Sequence, residues 1–135
     1  MDGVMLTSLK QIFHPQGNIF HVMKKSDSGF NEFGEAYFST INKDEIKGWK
    51  KHSKMILNLT VPIGEIKFVV YNEKTKEFFS INLSKDNYYR LTIQPDLWMA
   101  FKGLDEDNML LNIANLEHDS TEATNIELDK IVYEW

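Results

Sequence analysis

The chain contains no cysteine. That excludes disulfides and thiolate chemistry, and it accords with a reducing compartment. No apolar run approaches the ~20 residues that a membrane-spanning helix requires. The first residues, MDGVMLTSLKQIF, lack the basic stretch, long apolar core and small-residue cleavage site of a secretory signal, so the cytoplasm is the expected location. Cationic residues are in the minority: 15 Lys and Arg stand against 20 Asp and Glu, a formal net charge of −5. This balance argues against a general nucleic-acid binder, which gains affinity by neutralising phosphates with Lys and Arg. A long amphipathic helix is also missing. Asp44–Lys51 is charged enough to imitate one, but Gly48 interrupts it. No low-complexity linker, sequence repeat or internal boundary divides the chain.

What is present is strand spacing. With 135 residues, 42% hydrophobic and 13% aromatic, the chain suits one domain over residues 1–135 with one sizeable core. Glu35–Ile41 alternates between two faces. Met55–Val61 and Ile66–Tyr71 are rich in Val, Ile, Leu and Phe, and Pro62–Glu65 between them predicts a hairpin or corner. Further strands are expected at Phe78–Leu83 after the polar turn Glu73–Glu77, and at Tyr88–Gln94. Others are expected at Leu97–Phe101 after Pro95–Asp96, and at Met109–Ala114 after the turn Gly103–Asn108. The tail Ile126–Tyr133 is expected to add a strand or a short helix. Short strands with turn signals every eight to twelve residues predict an all-β sandwich or barrel.

Four segments then occur in order: GEAYFST (34–40), IKGWKKHSKM (46–55), GEIKFVVY (64–71) and PDLWMAFKG (95–103), followed by YEW at 133–135. Together they resemble the dTDP-4-dehydrorhamnose 3,5-epimerase superfamily and its sugar 3,4-ketoisomerase relatives, from about His14 to the C-terminus. The resemblance implies an all-β cupin jelly roll (a double-stranded β-helix) that forms a homodimer. It implies action on a nucleotide-linked 4-keto-6-deoxyhexose, dTDP being the expected nucleotide, in bacterial surface polysaccharide biosynthesis. The implied chemistry is proton abstraction beside a ketone, followed by protonation or stabilisation of the enolate, with no metal and no cofactor. The largely apolar segment Val4–Val22 becomes the candidate for exchange with a second subunit, because relatives lend an N-terminal strand to the partner's site.

Carried over residue by residue, the resemblance puts Lys47 where the family has a phosphate-contacting Arg, so that a cation is kept without the bidentate fork. It puts Glu35, Tyr37 and Ser39, on one face of a strand, at positions that meet the nucleotide. Other positions depart from the family. Its basic His is Lys50 here, and the His after its Pro-x-x-Trp pattern is Met99. Its acidic Tyr falls at about Leu111, within Leu110–Asn112, and its early Arg-Gly pair is Gln16-Gly17.

Each remaining candidate has more than one reading. Lys50 is a substitute base, if desolvation and the neighbouring Lys47 and Lys54 lower its pKa, or a solvated lysine of a KKHSK run. His52, on the Lys50 face of a regular strand, is an acid/base group, a substrate donor or a lone metal ligand; the metal reading ranks last, for want of other imidazoles. Trp49 and Trp98 form an aromatic wall for a ring, or packing. Arg90 meets a phosphate or points outward. Lys67 reaches the barrel interior or the rim, and Glu35 is a functional carboxylate or a surface one. His118, followed by Asp119, orients substrate or caps a loop. Three functions follow: a nucleotide-sugar epimerase or isomerase with Lys50 and His52 as catalytic residues; a non-catalytic nucleotide-sugar-binding or regulatory cupin that has lost the usual His and Tyr; and, ranked last, a metal-dependent cupin of another chemistry.

Overall fold

The structure, a computed structural model, describes residues 1–135. Its strands are β1 (Val4–Ser8), β2 (Gln11–Ile12), β3 (Ile19–Phe20), β4 (Glu35–Thr40), β5 (Ile46–His52), β6 (Leu57–Ile63), β7 (Glu65–Asn72), β8 (Glu77–Ser84), β9 (Tyr89–Ile93), β10 (Trp98–Gly103), β11 (Met109–Ala114) and β12 (Ala123–Asn125). One 3₁₀ turn, Leu128–Lys130, is the sole helical element. No helix is long and apolar enough to cross a membrane.

Two five-stranded antiparallel sheets face each other, in the orders β1-β9-β6-β11-β4 and β12-β5-β10-β7-β8; β2 and β3 form a separate two-stranded ribbon. From β4 to β12 the chain changes sheet at every connection except the β7–β8 hairpin. This is the jelly-roll wrapping of an all-β cupin. The segment Pro62–Glu65 is accordingly a corner between sheets. Gly64 has φ +77 there, and a Cβ on it would lie 2.0 Å from the Asp107 carbonyl, so only glycine fits. The N-terminal strand β1 pairs with β9 of its own chain.

The main core fills the space between the sheets. Leu57, Leu59 and Val61 of β6 and Leu91 and Ile93 of β9 meet Ile66, Phe68 and Val70 of β7, each contributed by strand alternation. A second, smaller cluster lies on the outer face of the β5–β10–β7 sheet, where Trp49, Val69, Trp98 and Ala100 are covered by Ile126, Leu128, Ile131, Tyr133 and Trp135 of the tail. Trp49 Nε1 donates to the Leu128 carbonyl at 3.2 Å, which satisfies the indole while its ring is wholly buried.

Polar residues fill part of the outer face of the other sheet. Arg90 is fully buried. Its guanidinium donates to Asn58 Oδ1 (3.2 Å), the Val22 carbonyl (2.8 Å) and Asp27 (3.2 Å), so it anchors the loop that covers this face. Gly29 makes that closeness possible, since a Cβ on it would lie 2.9 Å from the guanidinium.

Candidate active site

A cavity of about 450 Å³ opens between the two sheets. One wall comes from β4, β6 and β11, the other from β5 and β10, with Asn125 of β12 at its margin. Leu57, Leu59, Met99, Phe101 and Leu110 make it partly apolar, and its polar groups are few and convergent: Tyr37, Ser39, Lys47, Lys50, His52 and Asn112. That is the character of a small-molecule site.

Strand β5 supplies three of these residues through an irregularity. Against β10, Lys50 pairs with Met99 but Lys47 pairs with Phe101, with a register shift between. Gly48 and Trp49 thus oppose the single residue Ala100, a β-bulge. In a regular strand, residues 47 and 50 point to opposite faces. The bulge brings both lysines into the cavity while Trp49 stays in the outer cluster.

His52 carries the most organised chemistry. Its Nδ1 is hydrogen-bonded to Glu122 Oε1, and both side chains are largely buried, at 14% and 5% exposure. Glu122 Oε2 also accepts the backbone N–H groups of Lys54 (3.0 Å) and Met55 (3.1 Å). Burial works against ionising this carboxyl, but the His52 hydrogen bond and the two N–H groups outweigh it, and its pKa lies below the ordinary value of 4.5. An ionised carboxylate only accepts, so His52 Nδ1 carries the proton. In the neutral ring, Nε2 then holds a lone pair, and no protein group bonds to it. The arrangement is a base oriented by an acid, the geometry that general base catalysis uses.

The lysines differ in their surroundings. Lys47 Nζ donates to the Thr40 carbonyl (2.7 Å) and to Ser39 Oγ (3.2 Å), which ties β5 to β4 across the cavity mouth. Lys50 has no carboxylate within ion-pair distance, in contrast to Lys51, which turns outward to Glu73 at 2.7 Å.

The structure thus gathers Lys47, Lys50, His52, Tyr37 and Ser39 at one cavity. The other expected site residues lie elsewhere. Glu35 begins β4 opposite Ala114, on the Tyr37 side but outside the cavity lining. Arg90 is on the far side of its sheet, committed to Asn58, Val22 and Asp27. Lys67 is not in the barrel interior: Phe68 and its alternates take that face, and Lys67 lies outside, its ammonium 5.1 Å from the Tyr133 ring centroid and 5.9 Å from that of Trp135. Trp98 faces outward too, donating to Glu73 Oε2 at 3.1 Å; with Trp49 it is packing beneath the tail rather than a cavity wall. His118 is exposed in the loop before β12. No three His, Cys, Asp or Glu side chains are grouped to hold a metal ion.

Sequence reasoning missed Glu122 and the place of Asn112 in the cavity lining. Glu122 sits in an undistinguished polar stretch with no signal in the sequence; β12, which follows at once, pairs Ala123 with His52 and brings it there.

No protein-family model matches the chain, and no curated protein matches it. Solved structures do. A dTDP sugar isomerase from Desulfovibrio desulfuricans G20 has a TM-score of 0.91 at 30% identity, covering 95% of this chain and 86% of that one. The 3,4-ketoisomerase QdtA from Thermoanaerobacterium thermosaccharolyticum, in complex with TDP, has a TM-score of 0.80 at 26% identity, with 92% and 88% covered. A dTDP-4-dehydrorhamnose 3,5-epimerase from Sulfolobus tokodaii shares the fold, with a TM-score of 0.87 at 20% identity over 98% of this chain and 82% of that one. With this cavity, this jelly roll and these relatives, the chain belongs to the cupin superfamily of dTDP-4-dehydrorhamnose 3,5-epimerases and sugar 3,4-ketoisomerases.

Proposed function

We propose that this protein is an epimerase or isomerase of a nucleotide-linked 4-keto-6-deoxy sugar, with thymidine diphosphate as the nucleotide. The observation that carries the reading is the His52–Glu122 pair beside a cavity of sugar size. His52 Nε2 takes a proton from the carbon next to the ketone, and the electron pair moves into the enolate. Glu122 holds the ring in the required tautomer and stabilises the imidazolium that forms. Protonation of the same carbon on its other face gives an epimer; protonation of the former carbonyl carbon, with the neighbouring hydroxyl's proton passing to the former carbonyl oxygen, gives an isomer. Lys47 has used two of its three N–H donors on Ser39 and Thr40, which leaves one for a pyrophosphate oxygen. Lys50, beside His52 and free of any carboxylate, supplies positive charge where negative charge develops. The apolar residues around them limit water.

The same reading includes a cytoplasmic enzyme of surface polysaccharide synthesis that works as a homodimer. Support for the dimer comes from β4, an edge strand whose Phe38 is 64% exposed, with Phe33 65% and Phe13 79% exposed elsewhere on the surface. Such surface is costly to leave in water and suits a second copy.

The test is incubation with TDP-4-keto-6-deoxyglucose and related 4-keto sugars in deuterated water. Deuterium at a carbon beside the ketone is expected. Its absence over a broad panel rejects the enzyme. Lys50 and Met99 in place of imidazoles favour the second reading, a nucleotide-sugar-binding protein without turnover. Calorimetric binding of TDP with no exchange identifies that case.

A further inference from the structure

We infer that Trp49 is a positioning residue of this site: gripped from outside by the segment after β12, it fixes the bulge in β5 and so turns Lys47 into the cavity; the inference rests on the epimerase or isomerase reading above, which gives Lys47 a pyrophosphate to meet. Strand β5 carries one residue more than β10 can pair. Ile46 and Lys47 oppose Lys102 and Phe101, whereas Lys50 and Lys51 oppose Met99 and Trp98. The extra residue has to fall somewhere between, and its place decides which side chains reach the cavity. One step earlier, with Lys47 and Gly48 opposite Phe101, alternation gives Gly48 the cavity face and turns Lys47 outward. One step later, with Trp49 and Lys50 opposite Met99, the indole itself enters the cavity.

Contacts on the outer face select the observed place. A Cβ on Gly48 would meet the Ile126 oxygen and the Leu128 nitrogen, each at 3.7 Å, so the side-chain direction of this residue is toward the tail. Trp49 is held twice. Its carbonyl accepts the Ile126 N–H at 3.1 Å, and its Nε1–H donates to the Leu128 carbonyl at 3.2 Å. Its wholly buried ring lies 6.0 Å from that of Trp135. Moving Trp49 inward would break both hydrogen bonds and bare the apolar residues that cover it. Moving the bulge earlier would turn Gly48 away from the tail.

The rest of the strand is secured separately. Ala123, Thr124 and Asn125 pair with His52, Lys51 and Lys50, and Glu122 bonds to His52. Lys50 and His52 are therefore kept in place beyond the bulge, whereas Lys47 lies on its other side. From the cavity face Lys47 Nζ reaches the Thr40 carbonyl and Ser39 Oγ, and that face is the one the bulge gives it. Trp49 is not among the cavity-lining residues, so it acts through Lys47. The grip on Trp49 governs nucleotide binding, and the pairing of β12 governs the proton chemistry.

Trp49→Phe keeps an aromatic ring in the outer cluster and deletes the donor to Leu128. Trp135→Ala loosens the same grip through the neighbouring ring. Each is expected to raise the Kd for TDP about fivefold, the scale of one hydrogen bond. Each leaves kcat for deuterium exchange into TDP-4-keto-6-deoxyglucose within about twofold, so the effect falls on KM. Combined with Lys47→Ala, neither adds a further loss of TDP affinity, because both act through that one ammonium. In the ligand-free protein, acetylation of Lys47 followed by mass spectrometry is expected to run about fivefold faster in Trp49→Phe than in the wild type, as the bonds to Thr40 and Ser39 are released. The exposed Lys74 is the unchanged reference. Losses of TDP affinity that multiply with that of Lys47→Ala overturn the positioning role, and so does an unchanged acetylation rate. An equal fall in kcat also overturns it, making Trp49 a general support of the fold. Wild-type protein that binds no TDP rejects the nucleotide reading, and the acetylation rates then decide the positioning role by themselves.

Discussion

Glu122 accepts the Nδ1–H of His52 from a position 70 residues further along the chain. The same carboxylate binds the N–H groups of Lys54 and Met55, while the Glu122 carbonyl receives the N–H and hydroxyl of Ser53. One residue therefore shapes the turn after β5 and sets the tautomer of its last side chain.

Glu122→Gln keeps a side-chain oxygen to accept a hydrogen bond but loses the charge that favours imidazolium. On the proposed function, kcat falls by at least roughly tenfold while TDP binding changes little. Glu122→Ala in addition leaves the Lys54 and Met55 N–H groups without acceptors in a part-buried turn, at about 1–3 kcal/mol of stability. Urea unfolding of the two variants separates these effects.

The pH dependence has a definite sign. Despite the opposing effect of burial, the bonds to His52, Lys54 and Met55 lower the pKa of Glu122 in the folded state. A carboxyl with a folded pKa below its unfolded one stabilises the protein fully above the unfolded value, and that contribution is lost as pH falls through the folded value. Below pH about 5 the melting temperature of the wild type is therefore expected to drop more steeply than that of Glu122→Gln. Asp27, lowered chiefly by the Lys24 N–H, and Glu73, lowered chiefly by Lys51, add the same slope to both proteins and cancel in the comparison. Parallel curves would contradict the expectation.

Lys47→Ala removes the cation at the cavity mouth and its bonds to Ser39 and Thr40. If Lys47 meets the pyrophosphate, TDP affinity falls about tenfold, the scale of one charge-assisted hydrogen bond. The loss is smaller in high salt, because the wild-type contact is itself screened. Calorimetry at two ionic strengths is the measurement.

Arg90→Ala strips a fully buried guanidinium from Asn58, Val22 and Asp27. Stability is expected to fall by about 2–4 kcal/mol, because the groups left behind lose buried hydrogen bonds. TDP affinity is expected to stay unchanged, because Arg90 lies on the opposite face of its sheet from the cavity. A selective loss of TDP affinity with normal stability would restore the phosphate reading of this residue.

Seven of the strands from β4 to β11 were legible because half-buried strands advertise themselves by alternation, and turns such as Glu73–Lys76 by polarity; β5, where Gly48 interrupts a charged run, was a strand only by the family resemblance. Alternation misled at residues that seemed to have a free face. Lys67 and Arg90 lie on faces opposite the core, yet both are covered: the first by Tyr133 and Trp135 of the tail, the second by the loop from Val22. Covering by a distant segment leaves no local periodicity to read.

By itself, the sequence determined the all-β class and seven of the eight central strands, since these follow from neighbouring residues and a period of two, while the family resemblance supplied β5 and with it the placement of His52 on the face of Lys50. Tertiary structure decided how Lys47, which the resemblance placed at the site, reaches it: a bulge reverses the alternation at Gly48 and Trp49. It alone matched Glu122 to His52 and Asn112 to Tyr37. Register between strands and hydrogen bonds across 70 or more residues arise from how the whole chain closes on its core, and no short window of sequence contains them.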